Sequence, residues 1–109
     1  MQTLSLPTVL SDLVTAQNKY DADAYAQCFT TDAIVYDEGE EHHGLFQIKS
    51  WNEATNKKYH TVLSPINFSL HGKESVLKVM VSGTFNGSPL ALNYRFTIKD
   101  NKIAILRVD

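Results

Sequence analysis

Asp37 is the residue of this sequence that is best placed to do chemistry. It ends a β-branched and aromatic stretch, Ala33–Asp37, and precedes a loop rich in acidic residues and glycine. A carboxylate at the mouth of an apolar pocket loses hydration, so its pKa rises. It can then take a proton from a carbon next to a carbonyl group and return it nearby. The alternative is a structural role, because aspartate is also a common turn residue.

Two other groups of reactive side chains favour structural roles. The acidic residues and histidines of the polar loop could bind a metal loosely, but its two histidines are adjacent and lack the i, i+4 spacing of paired helical ligands. A solvated loop explains them better, and we expect no metal. Cys28 lies in an apolar segment beside Phe29, where a free thiol commonly acts as a small core residue. The loop residues concerned are Glu38, Glu40, Glu41, His42 and His43.

Composition limits the class of protein. The chain has 109 residues, 43% of them hydrophobic and 20% charged, which predicts one globular domain over 1–109. A formal net charge of -2 gives no basic surface for nucleic acid or anionic membrane, and no apolar run could span a bilayer. The N-terminus lacks the features of a signal peptide, and a single cysteine excludes an internal disulfide, so we expect a cytoplasmic protein. No cofactor motif is present, and we expect no cofactor.

The beginning of the chain has the period of helices. Pro7 suits the first turn of a helix, and apolar residues recur on one face as far as Tyr20. Asp21 is a good N-cap for a second, short helix that breaks at Thr31-Asp32. The face of the first helix comprises Leu6, Val9, Leu10, Leu13, Gln17 and Tyr20, and the second helix holds Tyr25, Cys28 and Phe29.

One short strand and a third helix follow. The strand is Ala33–Asp37, whose residue types favour extended backbone. A polar loop with two glycines covers 38–44. The helical pattern then returns from Leu45 to about Tyr59, with Ile48, Trp51, Thr55 and Tyr59 on one face.

The second half alternates with the period of strands. It predicts four strands, Val62–His71, Val76–Phe85, Leu90–Ile98 and Ile103–Val108, joined at Gly72-Lys73, at the hairpin signal Asn86-Gly87 and at Asp100-Asn101. Three helices with one short strand, followed by four longer strands, is an α+β layout. We expect the helices to pack over a curved four-stranded antiparallel sheet and to leave a gap lined by the inward faces of both.

Four stretches of the chain carry a resemblance. Phe29–Asp37 resembles the segment that opens the first strand in one superfamily, and Asp100–Ile103 is similar to the turn before its last strand. The third helix has the matching residues Gly44, Ile48 and Trp51, and the start of the second helix has Asn18 and Asp21. Their order and spacing resemble the nuclear transport factor two-like superfamily, above all its SnoaL-like polyketide cyclase and ketosteroid isomerase branches.

This resemblance implies a cone-shaped domain with an internal pocket, and a homodimer formed through the outer face of the sheet. It also implies a catalytic role for Asp37, which stands where ketosteroid isomerase-like members carry a proton-shuttling aspartate. His60 stands where related domains often have a histidine. It would act as a general acid beside Asp37 or, more plainly, end a helix and favour its dipole. The residues expected on the outer face are Val76, Met80, Ser82, Ala91, Asn93 and Arg95.

The chain differs from the isomerase pattern at the positions that supply hydrogen-bond donors to the enolate oxygen. Leu13 stands where the first helix should supply a tyrosine, so steroid-type isomerisation is not expected. The strand position of the family's second acid is Tyr94 if the Asp100-Asn101 turn anchors the alignment, whereas a one-residue slip would place Asn93 or Leu92 there. The Tyr94 hydroxyl would donate a hydrogen bond to a ligand, or it would be satisfied by a backbone carbonyl in the core.

We therefore expect a small apolar or aromatic ligand, and as the leading hypothesis a cofactor-free lyase, isomerase or cyclase acting on a carbonyl compound. Asp37 would be the base, with Tyr94 and His60 as polar partners. The competing hypothesis is a noncatalytic module with a filled pocket, whose outer sheet face mediates dimerisation or partner binding. A cavity of about 300 Å³ or more around Asp37 would favour ligand binding. The expected ligand-binding residues are Leu13, Tyr20, Trp51, Tyr59, Leu77, Val79, Val81 and Phe96.

Overall fold

The computed structural model describes residues 5–109, in which three helices cover one face of a curved six-stranded sheet. The helices are α1 (Thr8–Asn18), α2 (Ala22–Gln27) and α3 (Gly44–Tyr59). The strands are β1 (Phe29–Asp37), β2 (Glu40–His43), β3 (Val62–His71), β4 (Glu74–Ser82), β5 (Leu90–Lys99) and β6 (Lys102–Val108). Their order is β2-β1-β6-β5-β4-β3, so the sheet is open, and only β1 and β6 run parallel. The predicted α+β class is confirmed, but the sheet has six strands instead of the expected four, because β1 joins it through its parallel pairing with β6 and brings β2 to the edge.

The predicted helices are confirmed, with one change at the end of α2. Asp21 caps α2 as expected, because its carboxylate accepts a hydrogen bond from the Ala24 N–H at 3.1 Å. The expectation that Phe29 belongs to this helix is wrong. The helix stops at Cys28, and Phe29 is buried in β1, where it pairs with Ile103 of β6. An apolar pair such as Cys28-Phe29 continues a helical pattern as well as it begins a strand, and burial against the last strand decides the outcome.

The expectation of a polar loop over 38–44 is also wrong. Glu40–His43 form the edge strand β2, which pairs antiparallel with the end of β1. The turn between them is the pair Glu38 and Gly39, both with positive φ (52° and 78°), as in the tight turns that join antiparallel strands. An edge strand is held by backbone hydrogen bonds and can be wholly polar, so hydrophobic alternation does not reveal it.

The tight hairpin expected at Asn86-Gly87 is replaced by a longer connection, the β4–β5 loop (83–89). This loop docks on the end of α3: the Thr84 N–H donates to the Tyr59 carbonyl oxygen at 2.7 Å, and the Thr84 hydroxyl donates to the Lys58 carbonyl oxygen at 3.2 Å. The chain leaves the sheet at this point because it satisfies helix carbonyls that would otherwise lack partners. Asp100-Asn101 makes the predicted two-residue turn.

The core lies between the helices and the inner face of the sheet. Alternate residues of β4 and β5 point into it, and the opposite set lies on the outer face, as the register pairs Val76 with Arg95 and Met80 with Ala91 show. The six residues expected on the outer face all lie there. In the described residues, no helix is long and apolar enough to cross a membrane.

Asn18 generates the first testable prediction, because its side chain joins α1 to β3. Its amide N–H donates to the Leu63 carbonyl oxygen at 2.9 Å, and its amide oxygen accepts from the Leu63 N–H at 2.8 Å. We expect Asn18→Ala to lower the free energy of unfolding by about 1–3 kcal/mol, since two backbone groups lose their partner. The exposed neighbour Lys19 gives the control: Lys19→Ala should change stability by less than about 0.5 kcal/mol. Equal stability of the two variants in urea denaturation would contradict the role given to Asn18.

Gly83 generates the second prediction, because a Cβ at this position would meet the Tyr59 carbonyl oxygen closer than real atoms approach. Neither partner can move away easily, since the obstacle is backbone. We expect Gly83→Ala to destabilise the protein by about 1–3 kcal/mol. Ser82→Ala, one residue earlier on the outer face, should leave the midpoint of thermal unfolding nearly unchanged. A Gly83→Ala protein as stable as Ser82→Ala would show that the loop does not need its contact with α3.

Candidate functional site

A cavity of about 770 Å³ lies between the helices and the inner face of the sheet. Its walls come from Gln17 of α1, Tyr25 of α2, one side of α3, the β1–β2 hairpin, the end of β4, the inner residues of β5 and the β4–β5 loop. The volume is well above the roughly 300 Å³ at which small-molecule sites begin. The molecule therefore has room for a ligand at the place where β1 ends.

Asp37 lines this cavity because of its position in the alternation of β1. It follows the buried residues Ala33 and Val35 at a spacing of two, so its side chain points to the inner face. Tyr36 points the opposite way and lies under the guanidinium of Arg107, 4.2 Å from the ring centroid. The last residue of the strand is thus half-buried at the cavity, while its neighbour belongs to the outer face.

The surroundings of Asp37 raise the pKa of its carboxyl above the ordinary value of 3.8. Burial is the largest cause, and the nearby charges of Glu38 and Glu40 act in the same direction. His42 and the indole N–H of Trp51 favour the charged form and lower the pKa, but they do not cancel the increase. The result is a stronger base than an exposed aspartate.

Two tyrosines accompany Asp37 in the cavity. Tyr25 is 2% exposed and Tyr94 is 8% exposed, and burial, with a contribution from Asp37, raises the pKa of both hydroxyls. Among residues 5–109, neither hydroxyl has a hydrogen-bond partner, and no buried side-chain oxygen or nitrogen is sealed off without one. Both hydroxyls must therefore open into the cavity, where they stay protonated and can donate.

Aromatic rings form much of the remaining wall. Trp51 stacks on His42 at 5.3 Å between centroids and packs against Tyr25 at 6.2 Å. Tyr59 and Phe85 meet edge to face at 6.1 Å where the β4–β5 loop docks on α3. The contact between α3 and the loop therefore also shapes one side of the cavity.

Three buried amides join α1 to α3 at this wall, and two of them, Gln17 and Asn52, line the cavity. Gln17 of α1 donates to Asn56 at 2.7 Å, Asn56 donates to Asn52 at 3.1 Å, and Asn52 donates back to Gln17 at 2.8 Å. Gln17 also donates to the Thr61 carbonyl oxygen at 3.0 Å. We call Gln17, Asn52 and Asn56 the amide ring. The sequence gives little sign of it, because Gln17 lies on an otherwise apolar helical face and its partners are far along the chain.

The residues expected from the sequence at the site divide into two groups. Asp37, Tyr94, Trp51, Tyr59 and Val81 line the cavity. The others do not: four are fully buried in the core, Leu13, Leu77, Val79 and Phe96, while Tyr20 is 44% exposed at the end of α1. Tyr25, Gln17 and Asn52 line the cavity and were not among the expected site residues. Tyr25 could have been found from its place one helical turn after the N-cap Asp21, on the face that turns towards the strands.

His60 is not brought to Asp37. It is exposed at the C-terminus of α3 in the left-handed region (φ 51°), and its N–H donates to the Asn56 carbonyl oxygen at 2.8 Å. Of the two roles considered for His60, its position agrees with that of a residue that ends a helix.

The alternation of β2 divides the acidic residues and histidines of 40–43 between the two faces of the sheet. Glu40 and His42 line the cavity, whereas Glu41 and His43 lie on the opposite side, where a hydrogen bond of 3.0 Å joins the His43 Nε2 and a Glu41 carboxylate oxygen. Within residues 5–109, no three His, Cys, Asp or Glu side chains are grouped as metal ligands.

Cys28 lies at a second groove, of about 850 Å³, between α1, α2 and the β5–β6 turn. Burial raises the pKa of its thiol to about 11, and Asp12 contributes to the increase. A thiol that stays protonated is a poor nucleophile. Cys28 therefore supplies no ready nucleophile to this groove.

The sequence matches no family model and no curated protein. Among solved structures, the chain is similar to a candidate polyketide cyclase from Sinorhizobium meliloti, with 37% identity, 100% of both chains covered and a TM-score of 0.94. It is also similar to a ketosteroid isomerase-like protein from Catenulispora acidiphila in complex with trimethylamine (15% identity, 96% and 86% covered, TM-score 0.85).

A third similar structure is SalBIII, an epoxide hydrolase/cyclase-like enzyme of pyran ring formation in salinomycin. It is 19% identical, with 93% of this chain and 86% of that chain covered and a TM-score of 0.76. The two more distant structures share the fold, and the Sinorhizobium protein shares a substantial part of the sequence over its whole length. The chain belongs to the nuclear transport factor two-like superfamily, in the SnoaL-like branch of polyketide cyclases and ketosteroid isomerase-like proteins.

Proposed function

We propose that this SnoaL-like domain binds a small apolar carbonyl compound and uses Asp37 as a general base in a cofactor-independent isomerisation, cyclisation or dehydration. One observation carries the proposal: a half-buried carboxyl of raised pKa shares an open cavity with two unpartnered tyrosine hydroxyls. These are the two kinds of group, a base and neutral donors, that proton abstraction next to a carbonyl requires.

The chemistry begins with the transfer of a proton from the carbon next to the carbonyl to the carboxylate of Asp37. The electron pair of the broken C–H bond moves into the carbonyl group and gives an enolate. The hydroxyls of Tyr94 and Tyr25 donate hydrogen bonds to its oxygen, and burial makes these bonds stronger than in water. The enolate then attacks an electrophilic carbon in the same molecule, expels a leaving group, or recovers the proton at another carbon.

Tyr25 takes the place that the sequence interpretation gave to His60. The exposed imidazole of His60 lies at the helix end, whereas the Tyr25 hydroxyl opens into the cavity beside Asp37. Ring formation is also the reaction indicated for two similar proteins, the candidate polyketide cyclase from Sinorhizobium and SalBIII. The alternative of a noncatalytic module with a filled pocket has less support, because the space beside Asp37 is open. A homodimer through the outer sheet face remains part of the proposal.

Proton abstraction can be tested with 2-tetralone, whose acidic C–H bonds adjoin the carbonyl. In D₂O, we expect the protein to accelerate deuterium incorporation at that carbon, followed by NMR, and we expect Asp37→Asn to slow the catalysed rate by about 100-fold or more. Asp32→Asn removes an exposed carboxylate of the same strand, outside the cavity, and should leave the rate unchanged. Exchange as fast in Asp37→Asn as in the original protein would exclude Asp37 as the base.

The raised pKa of Asp37 predicts a stability effect that depends on pH. Because the folded-state pKa exceeds the unfolded value near 3.8, the folded protein holds the proton more tightly, and ionisation of Asp37 costs stability as the pH rises through the folded pKa. Asp37→Asn should therefore stabilise the protein at pH 7, by less than about 1 kcal/mol because solvent screens a half-exposed carboxyl. The gain should disappear below about pH 3.8. Thermal unfolding across this range measures it, and a loss of stability at pH 7 would contradict the assigned environment.

A further inference from the structure

The direction of the amide ring is fixed by one backbone group. The Thr61 carbonyl oxygen can only accept a hydrogen bond, so the amide nitrogen of Gln17, not its oxygen, must face it. The same nitrogen donates to Asn56, which leaves the Gln17 oxygen to accept from Asn52. If any one amide were reversed, two oxygens or two nitrogens would face each other. The assignment of every nitrogen in the ring therefore follows from Thr61.

A count of the amide hydrogens then singles out Asn52. Gln17 uses both of its N–H groups, one on Asn56 and one on Thr61. Asn52 and Asn56 each use one N–H within the ring, so each keeps one without a partner among residues 5–109. Asn52, which is 2% exposed, lines the cavity, whereas Asn56 does not. Asn52 is thus a buried side chain of the cavity wall that the ring holds in one orientation and that keeps one N–H without a partner among residues 5–109.

A buried N–H without a partner is costly, and a ligand oxygen that accepts from it recovers that cost. Gln17 also lines the cavity, and its side-chain oxygen, which accepts from the Asn52 nitrogen, keeps a second lone pair. A hydroxyl group placed there could both accept from Asn52 and donate to Gln17. An ether or a carbonyl could only accept.

We propose that Asn52 is a specificity-determining residue that binds a second oxygen of the ligand, apart from the carbonyl that reacts beside Asp37. The ligand class is a cyclic ketone that carries a further hydroxyl group. This inference rests on the proposed function for the place of the reacting carbonyl. It adds the requirement that the ligand carry a second oxygen, which general-base chemistry alone does not impose.

The test compares 2-tetralone with its four derivatives hydroxylated on the aromatic ring, which are isomers of one another and present the second oxygen at different places. Trp51 is the only tryptophan of the chain, so its indole N–H gives a single NMR signal in the cavity from which each Kd can be measured. We expect at least one isomer to bind about fivefold or more tightly than 2-tetralone, as one added hydrogen bond would give. In Asn52→Ala, this preference should disappear, while 2-tetralone itself binds about as before.

Asn56→Ala is the matched control. Both substitutions remove two hydrogen bonds of the ring from the same helix, but only Asn52→Ala removes a donor from the cavity. The two variants should lose similar thermal stability, and Asn56→Ala should keep most of the preference for the hydroxylated isomer. An equal loss of preference in both variants, or no preference in the original protein, would overturn the proposal.

If Asn52→Ala does not fold, the original protein still decides the question. The hydroxylated isomer should shift one of the two side-chain amide protons of Asn52, and 2-tetralone should shift neither. Failure of the role proposed for Asn52 can be told apart from failure of the proposed function. Catalysed deuterium exchange that depends on Asp37 would stand without any role for Asn52, and a preference that depends on Asn52 would stand without catalysed exchange.

Discussion

The side-chain amide of Gln17 is the contact on which the shape of the cavity depends. Through it α1 is tied to two residues of α3 and to the carbonyl of Thr61, one residue before β3 begins. An apolar residue at this position would let the helices pack by close side-chain interdigitation, which fills space. Amides instead meet at fixed hydrogen-bond distances, and they leave polar atoms in the wall of the cavity. The joint between the helices is thus also a wall of the site.

The site is held at some cost to the stability of the fold. The carboxyl of Asp37 lies in surroundings that disfavour its charged form and raise its pKa, and the hydroxyls of Tyr25 and Tyr94 have no partner within residues 5–109. Such groups are expensive in an interior unless something else satisfies them. The rest of the wall compensates with rigid contacts, such as the stack of Trp51 on His42 and the docking of the β4–β5 loop on α3. Strained or unsatisfied groups that a rigid frame supports are typical of functional sites.

The sequence predicts those parts of the molecule that a period governs. The alternation of the predicted strands placed Val76, Met80 and Arg95 on the outer face, and the capping preference of Asp21 located α2. Backbone pairing without an apolar pattern was missed, because β2 is polar and the β4–β5 loop is held by carbonyls of Lys58 and Tyr59. The amide ring was missed for a related reason. Hydrogen bonds between Gln17 and residues 35 and 39 positions away leave no local trace in the chain.

The charges around the cavity complete the description of what it can hold. Asp37, Glu38 and Glu40 all line it, and Lys58 is the one ammonium group among its described lining residues. That ammonium lies over the ring of Tyr59, 5.1 Å from its centroid, and is exposed to solvent, which screens it. An anionic ligand would therefore meet three carboxylates, one of them half-buried where repulsion is stronger than in water. An uncharged ligand avoids this repulsion. It also adds no charge that would change the pKa of Asp37, which burial raises. The same desolvation that makes Asp37 a better base thus selects against acids, and the hydroxyl recognised by Asn52 offers a way to bind a polar molecule without a charge.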